Sequence, residues 1–328
     1  MDTGTHVVMG VALGGLATLD PVVASDPALY HTVFAGVLIG SNAPDADTIL
    51  KFKNNALYIR NHRGITHSLP AVLLWGIIIS GVLYAFVPSV DFAHLWLWTQ
   101  IAVALHVLVD IFNAYGTQAY RPFSRRWVAY GFINTFDPYI FLLHIAGIVA
   151  WLFGASPGYT FLVIYGVIFL YYIKRYLDKR EIVRKIKEFL PDTVQVVTSP
   201  TMKQNDWRVA ITTKHQFFVG VVEDGHIHII DEYNRVPLPD DERINVAMTD
   251  KNIDAFLSFS PVYRFEIHET NAFSEVRFID LRYRSKGYYP FVAVVHIDEN
   301  MNIISSYTGW IFSEHKLQTK LYINDQPI

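Results

Sequence analysis

Residues 69–87 read LPAVLLWGIIISGVLYAFV, and residues 92–112 read FAHLWLWTQIAVALHVLVDIF. The first carries no charge over a length sufficient to cross a bilayer, and the second is interrupted only by His94, His106 and Asp110. These two stretches decide the fold class, and the rest of the first half extends the pattern. Pro138–Ile173 is uncharged but too long for one span, and Gly154-Ala155-Ser156-Pro157-Gly158 divides it into two spans, Pro138–Phe153 and Tyr159–Ile173. Two earlier apolar runs, Val7–Leu19 and Ala28–Ile39, are short, so they read as thin spans or a re-entrant hairpin. Their small-xxx-small pairs, Gly10/Gly14 and Gly36/Gly40, suit close helix packing in lipid. The count is about six membrane segments.

Composition agrees with this pattern. Only 17% of the 328 residues are charged, against about 25% in an ordinary soluble domain. Disorder is excluded by the apolar mass, and a uniformly soluble enzyme by the long uncharged runs. No basic stretch interleaves with aromatics and the net charge is only −3, so no nucleic-acid partner is expected. Cysteine is absent, so any metal must be held by His, Asp or Glu. Met1–Thr5 carries no positive charge, so a cleaved signal peptide is not expected.

Charge is distributed unevenly. Residues 1–190 hold 14 Lys/Arg and 11 Asp/Glu, whereas residues 191–328 hold 13 and 19. The change falls at the basic stretch Lys174–Lys187, which is followed by Pro191. The expected organisation is therefore an α-helical integral membrane domain over residues 1–190, followed by a small antiparallel β-rich soluble domain over residues 191–328. In the latter, Val194–Val197, Trp207–Thr213, Gln216–Val222, His226–Ile230, Val262–His268, Val276–Tyr283 and Phe291–Ile297 are β-branched and aromatic. Turn signals such as Asp224-Gly225 separate them. His226 and His228 sit two apart on one of these strands and read as a solvated face.

Loop charges set an orientation. Loops 42–68 and 114–137 carry four and three Lys/Arg and the stretch from 174 carries seven, while loops 20–27, 88–91 and 154–158 carry none. Alternation of this kind is the positive-inside signature. It predicts a multi-pass protein of the cell (plasma or inner) membrane with the N-terminus, Asn61 and the C-terminus at Ile328 in the cytoplasm, and Asp91 and Ser156 outside.

Ionisable groups within apolar segments are costly and mark function. His6, Asp45, Asp47, His62, His67, His106, Asp110 and Asp137 all fall at the cytoplasmic ends of their segments under this orientation. Scattered polar residues would have no reason to share a face. His106-Val107-Leu108-Val109-Asp110 puts imidazole and carboxylate one helical turn apart. In Pro44-Asp45-Ala46-Asp47 an extended backbone would aim both carboxylates the same way. His62-Arg63-Gly64-Ile65-Thr66-His67-Ser68 offers two imidazoles and a glycine for a tight turn. Zinc accepts this His/Asp mixture, and manganese or a mixed metal pair also fits. Taken singly, each residue has a structural explanation. His106 and Asp110 satisfy each other in lipid, Asp47 caps a loop, and Asp137 before Pro138 is as well read as a helix N-cap as a ligand. His94 and His144 are given no role.

His6, the Pro44–Asp47 box, the His62–Ser68 box and His106-x-x-x-Asp110, in this order on hydrophobic helices, resemble the YdjM/YfhP-type membrane-bound metal-dependent hydrolases. The resemblance covers residues 1 to about 175. That family is in turn distantly similar to zinc-dependent phospholipase C and P1-type nucleases, which cleave phosphate esters with zinc held by His and Asp from several helices. The resemblance implies that His6, Asp45, His67, His106 and Asp110 are metal ligands. The multi-zinc enzymes add a later His-x-x-x-Glu pair, which nothing after Asp110 matches, so one or two metals are expected.

The function these features imply is hydrolysis of a phosphoester or lipid-linked substrate at the cytoplasmic membrane face. Membrane lipid is a partner, Asp45 the general base, and Asp47 a supporting or second-metal residue. Arg63 is expected to hold phosphate, with Arg121, Arg125 and Arg126 serving either phosphate or membrane anchoring. The alternative is a membrane-tethered regulatory protein whose residues 191–328 bind a cytosolic protein partner, with a structural or non-catalytic His/Asp cluster. A transporter fits less well, because ion-coupling carboxylates belong near the bilayer midplane.

Overall fold

The computed structural model describes residues 1–52, 55–124 and 126–323. The chain divides into two compact units. One comprises Met1–Asp47, His62–Val183 and Thr198–Asp206; the other comprises Thr48–Asn61, Arg184–Val197 and Trp207–Ile328.

The first unit is helical, and Asp-Pro pairs start three of its helices. Helix α1 (Thr3–Leu16) is capped by Asp2, whose carboxylate accepts the Thr5 N–H. Helices α2 (Pro21–Ser25) and α3 (Pro27–Gly40) begin directly after Asp20 and Asp26. In each case the aspartate accepts an otherwise orphaned N–H while proline, which has none to lose, takes the first helical position. After α4 (Asn55–Asn61), which belongs to the second unit, come α5 (Leu69–Phe86), capped by Ser68, and α6 (Phe92–Ile111), capped by Asp91. Helix α7 (Pro138–Leu152) repeats the Asp-Pro start at Asp137, and α8 (Pro157–Phe189) follows the turn in which Gly154 takes a φ of +92°.

Helix α3 packs against α1 and α6, α6 against α5, and α1 against α7. Leu13, Leu29, Val33, Val37, Leu95 and Ala102 form the buried seam. The backbones of α1 and α3 meet at Gly10, where a Cβ would lie 2.3 Å from Ser41 Oγ and 3.1 Å from the Leu38 Cα. Only glycine permits that approach, which also sets where Ser41 lies.

Among the described residues, three helices are long and apolar enough to cross a membrane: α5, α6 and α8. The other apolar helices, α1, α3 and α7, are shorter, so three rather than six of the expected segments have bilayer-crossing length. One further expectation changes. Helix α8 does not stop at Ile173 but runs unbroken for 33 residues through the basic stretch to Phe189. Lys and Arg are good helix formers, so a charge run does not end a helix.

Among the described residues, the chain from Thr193 onward forms two four-stranded sheets. The first runs in the order β1 (Thr193–Pro200), β2 (Trp207–Thr213), β3 (Gln216–Glu223), β4 (His226–Asn234). The β2–β3–β4 pairs are antiparallel, with an irregularity between Val219 and Gly220. His226 and His228 lie on the exposed face of β4, as expected. Two short helices the sequence did not announce then intervene, α9 (Glu242–Ala247) and α10 (Lys251–Phe259). The second sheet is an antiparallel meander of β5 (Tyr263–Glu269), β6 (Ser274–Asp280), β7 (Phe291–Ile297) and β8 (Ile303–Trp310), after which comes α11 (Glu314–Ile323). Strand β7, FVAVVHI, is buried along its whole length because both faces are covered. Phe256 of α10 stacks on Phe291, and Leu317 and Leu321 of α11 pack with Val292 and Val294. Of the residues singled out above, Arg125 and Ile328 lie outside the described residues.

Candidate metal centre

Four buried or nearly buried side chains meet where α6 ends. His106 and Asp110 lie one turn apart on α6, His67 ends the loop before α5, and Asp45 enters from the segment after α3. His67 Nε2 is 3.6 Å from Asp45 Oδ1 and 3.5 Å from Asp110 Oδ2. His106 Nε2 is 3.7 Å from Asp45 Oδ1 and 3.6 Å from Asp110 Oδ2. These same four atoms are buried without a hydrogen-bond partner. Buried polar atoms are otherwise almost always satisfied. Two imidazole nitrogens and two carboxylate oxygens, all within 4.8 Å of one another, form a group that could hold a metal ion.

The local geometry explains how the donors are aimed. The segment Ala43–Phe52 is a 3-10 helix rather than the extended strand expected around Asp45 and Asp47. At three residues per turn, side chains two apart point in different directions, although a carboxylate oxygen of each lies within 4.8 Å of the other. Asp45 therefore turns to the imidazoles, and Asp47 to the 62–66 loop. His106 Nδ1 lies 2.7 Å from the Ser41 carbonyl. A carbonyl only accepts, so Nδ1 carries the proton and Nε2 presents its lone pair to the cluster. His67 is buried, and its pKa is lowered by that burial and by the neighbouring His106 and Arg63, which favours the neutral ring a metal requires. Burial alone would raise the Asp45 carboxyl, but His106, Arg63 and His67 outweigh it and hold it below the usual carboxylate range.

The tight turn expected at Gly64 is made instead by Arg63, with a φ of +57°. Such a conformation costs a non-glycine residue about 1–2 kcal/mol. It is held by the Arg63 N–H donating to Asp47 Oδ2 at 3.0 Å, and it brings Arg63 Nε to 3.3 Å from Asp110 Oδ2. Arg63 is thus the arginine that reaches the donor set, whereas Arg126 is exposed.

His6, fully buried, stacks on His106 at 3.7 Å, with its Nε2 3.5 Å from Asp110 Oδ1. It flanks the four-donor group. The Met1 amine also pairs with Asp110. Asp47 and His62 could form a second group with Asp45. Their own contact is a hydrogen bond, His62 Nδ1 to Asp47 Oδ1 at 2.8 Å. Asp47 Oδ2 also accepts the Thr66 hydroxyl at 2.6 Å, and Thr66 Oγ1 lies 3.1 Å from His67 Nδ1. Asp137 caps α7 and accepts the Tyr171 hydroxyl, so its role is the structural one. Ser41 and Thr66 were not assigned from sequence. A backbone carbonyl leaves no signature, and the only hint for Thr66 is its place beside His67.

A family model described as YdjM inner membrane protein matches residues 1–182. Models described as the YfhP middle domain and the YfhP C-terminal alpha/beta plait domain match residues 191–233 and 242–321. A protein of Bacillus subtilis (strain 168) described as "Uncharacterized protein YfhP" is 61% identical over 322 residues, covering 98% of each chain. No solved structure matches.

Proposed function

The chain belongs to the YdjM inner membrane protein family, and from that premise we propose that it is an integral-membrane, metal-dependent hydrolase of phosphoesters. The observation that carries this reading is the set of four orphaned donor atoms with contacts of 3.5–3.7 Å. Two imidazole nitrogens and two carboxylate oxygens, converging within 4.8 Å, are the donor types that zinc accepts. Manganese prefers an octahedral, oxygen-rich shell, so zinc is the better fit. A divalent ion held there supplies Lewis-acid polarisation of a phosphoryl oxygen and activation of water.

The residues then divide the work. His67, His106 and Asp110 would hold the ion, with Asp45 bound only loosely. Asp45, 18% exposed, has the most solvent access of the four, so it would face arriving water and substrate and its carboxylate would act as the general base. Arg63 sets a fixed positive charge beside the donors, where it balances the carboxylates and orients an incoming phosphate. His6 closes the far side of Asp110.

The test is metal analysis and hydrolysis by the full chain purified in detergent. About one zinc per chain is expected, with cleavage of p-nitrophenyl phosphate or its diester lost to chelator and restored by zinc. A zinc-loaded protein inert toward phosphomonoesters, phosphodiesters and phosphatidic acid would leave a non-catalytic metal site and remove the hydrolase reading.

The same proposal includes a multi-pass topology with the cluster on the cytoplasmic side. Helices α1, α3 and α7, with 14, 14 and 15 residues, extend about 21–23 Å at 1.5 Å per residue, so counting them as spans requires local thinning of the bilayer. Seven basic residues from Lys174 onward favour the anionic cytoplasmic leaflet. Single cysteines introduced at Asn61 and Asp91 in this cysteine-free chain should differ in intact cells. A membrane-impermeant thiol reagent is expected to label the Asp91 position only. Labelling at the Asn61 position alone would invert the orientation.

A further inference from the structure

We infer that Asp47 and Thr66 form a relay that positions His67, and that neither Asp47 nor His62 is a metal ligand. This rests on the metal-site reading above and adds to it the residues that set the orientation and tautomer of one donor.

Which groups can donate fixes the direction of each bond. The Thr66 hydroxyl has one proton, and Asp47 Oδ2, 2.6 Å away, only accepts. That proton therefore points at Asp47, which leaves Thr66 Oγ1 as acceptor toward His67 Nδ1 at 3.1 Å. His67 then carries its proton on Nδ1 and presents the bare Nε2 to Asp45 and Asp110. The Ser41 carbonyl imposes the same tautomer on His106, so both imidazoles are set by protein acceptors before any ion arrives.

Asp47 is fully engaged in this role. Oδ2 takes the Thr66 hydroxyl and the Arg63 N–H, and Oδ1 takes His62 Nδ1 at 2.8 Å. Two ligands of one tetrahedral ion sit about 3.3–3.6 Å apart, given bonds of about 2.0–2.2 Å. At 2.8 Å the His62–Asp47 pair is too close to be bridged by an ion. The contacts among His67, His106, Asp45 and Asp110 are not. Asp47 is also 6% exposed, so water does not supply alternative partners. His62 and the Arg63 backbone fix Asp47, Asp47 fixes Thr66, and Thr66 fixes His67.

Zinc titration of the detergent-purified full chain against a competing chelator tests this, with cobalt(II) as a spectroscopic probe of the coordination shell. Thr66→Val, which keeps the side-chain shape and deletes the hydroxyl, is expected to weaken zinc binding about 10–100-fold. Thr66→Ser should stay close to wild type. Asp47→Asn should weaken binding similarly, and the double variant should be no weaker than the weaker single, because both break one chain. Stoichiometry at saturating zinc, and the cobalt band positions, should match wild type in every variant. Unchanged affinity in Thr66→Val overturns the relay while leaving the metal site intact. A loss of one ion per chain in Asp47→Asn overturns it in favour of a second ligand group. A wild-type chain that binds no zinc or cobalt overturns the metal reading and the relay together. Should Asp47→Asn fail to insert, the comparison of Thr66→Val with Thr66→Ser decides alone.

Discussion

Replacing both His67 and Asp110 by alanine is expected to reduce bound zinc from about one per chain to background. His67→Ala alone should lower affinity by more than the roughly 100-fold that a supporting residue commands. Two of the four convergent donors vanish in the double variant, leaving His106 and Asp45, and two donors do not retain zinc against a buffer chelator. The two single substitutions also differ in stability. His67→Ala removes a neutral ring. Asp110→Ala takes the carboxylate away from the buried Arg63 guanidinium, 3.3 Å from it, and removing one partner of a buried pair costs about 3–5 kcal/mol. His67→Ala should therefore insert and fold normally, and Asp110→Ala should be recovered in lower yield. Elemental analysis of purified variants checks the first part, and full zinc content in the double variant would exclude these donors.

The second large effect lies in the β-rich unit. Asp280, fully buried at the end of β6, accepts from Arg282 Nε at 3.0 Å and Nη2 at 2.6 Å and from the Arg282 N–H at 2.8 Å. The guanidinium donates onward to the Phe259 carbonyl and lies over the rings of Phe259 and Tyr283 at 4.6 and 4.8 Å. Asp280→Ala is expected to destabilise this unit by about 3–5 kcal/mol, because an arginine buried among aromatics loses its charge partner. Adding Arg282→Met should recover much of the loss, since exchanging a whole buried pair for apolar groups is close to neutral. Hydrogen exchange of the β6 and β7 amides in the intact protein reads both effects. Equal protection in Asp280→Ala and wild type would show that the pair carries no stability.

Some of this molecule could be read directly from its residues, for physical reasons that differ by region. The apolar runs 69–87 and 92–112 became α5 and α6 almost to the residue, since a long apolar run flanked by Ser68 or Asp91 has few other solutions. The i, i+4 spacing of His106 and Asp110 translates directly into one helix face. Spacing misled only as to backbone type: Asp45 and Asp47 lie on a 3-10 helix rather than a strand and take different partners, with carboxylate oxygens still within 4.8 Å. Arg63 took the left-handed turn because Asp47 holds its N–H, a tertiary contact that overrides the local preference for Gly64. The helices α9 and α10 were hidden between strand-like runs. Their apolar residues, such as Ile253 and Phe256, became informative only once β7 was seen to need cover on both faces.

The donors come from well-separated stretches of chain: Asp45 after α3, His67 ahead of α5, His106 and Asp110 at the end of α6. During synthesis the set is incomplete until residue 110 has emerged and α6 has threaded back beside α3. Because a site absent from the unfolded chain makes ion binding part of the folding energy, a cation captured there would stabilise only chains in which α3, α5 and α6 have packed together. Starvation for the ion would then register first as shortened lifetime of the protein in the cell rather than as slowed turnover. Newly made chains would be affected before old ones, because those already closed around an ion would have no reason to release it.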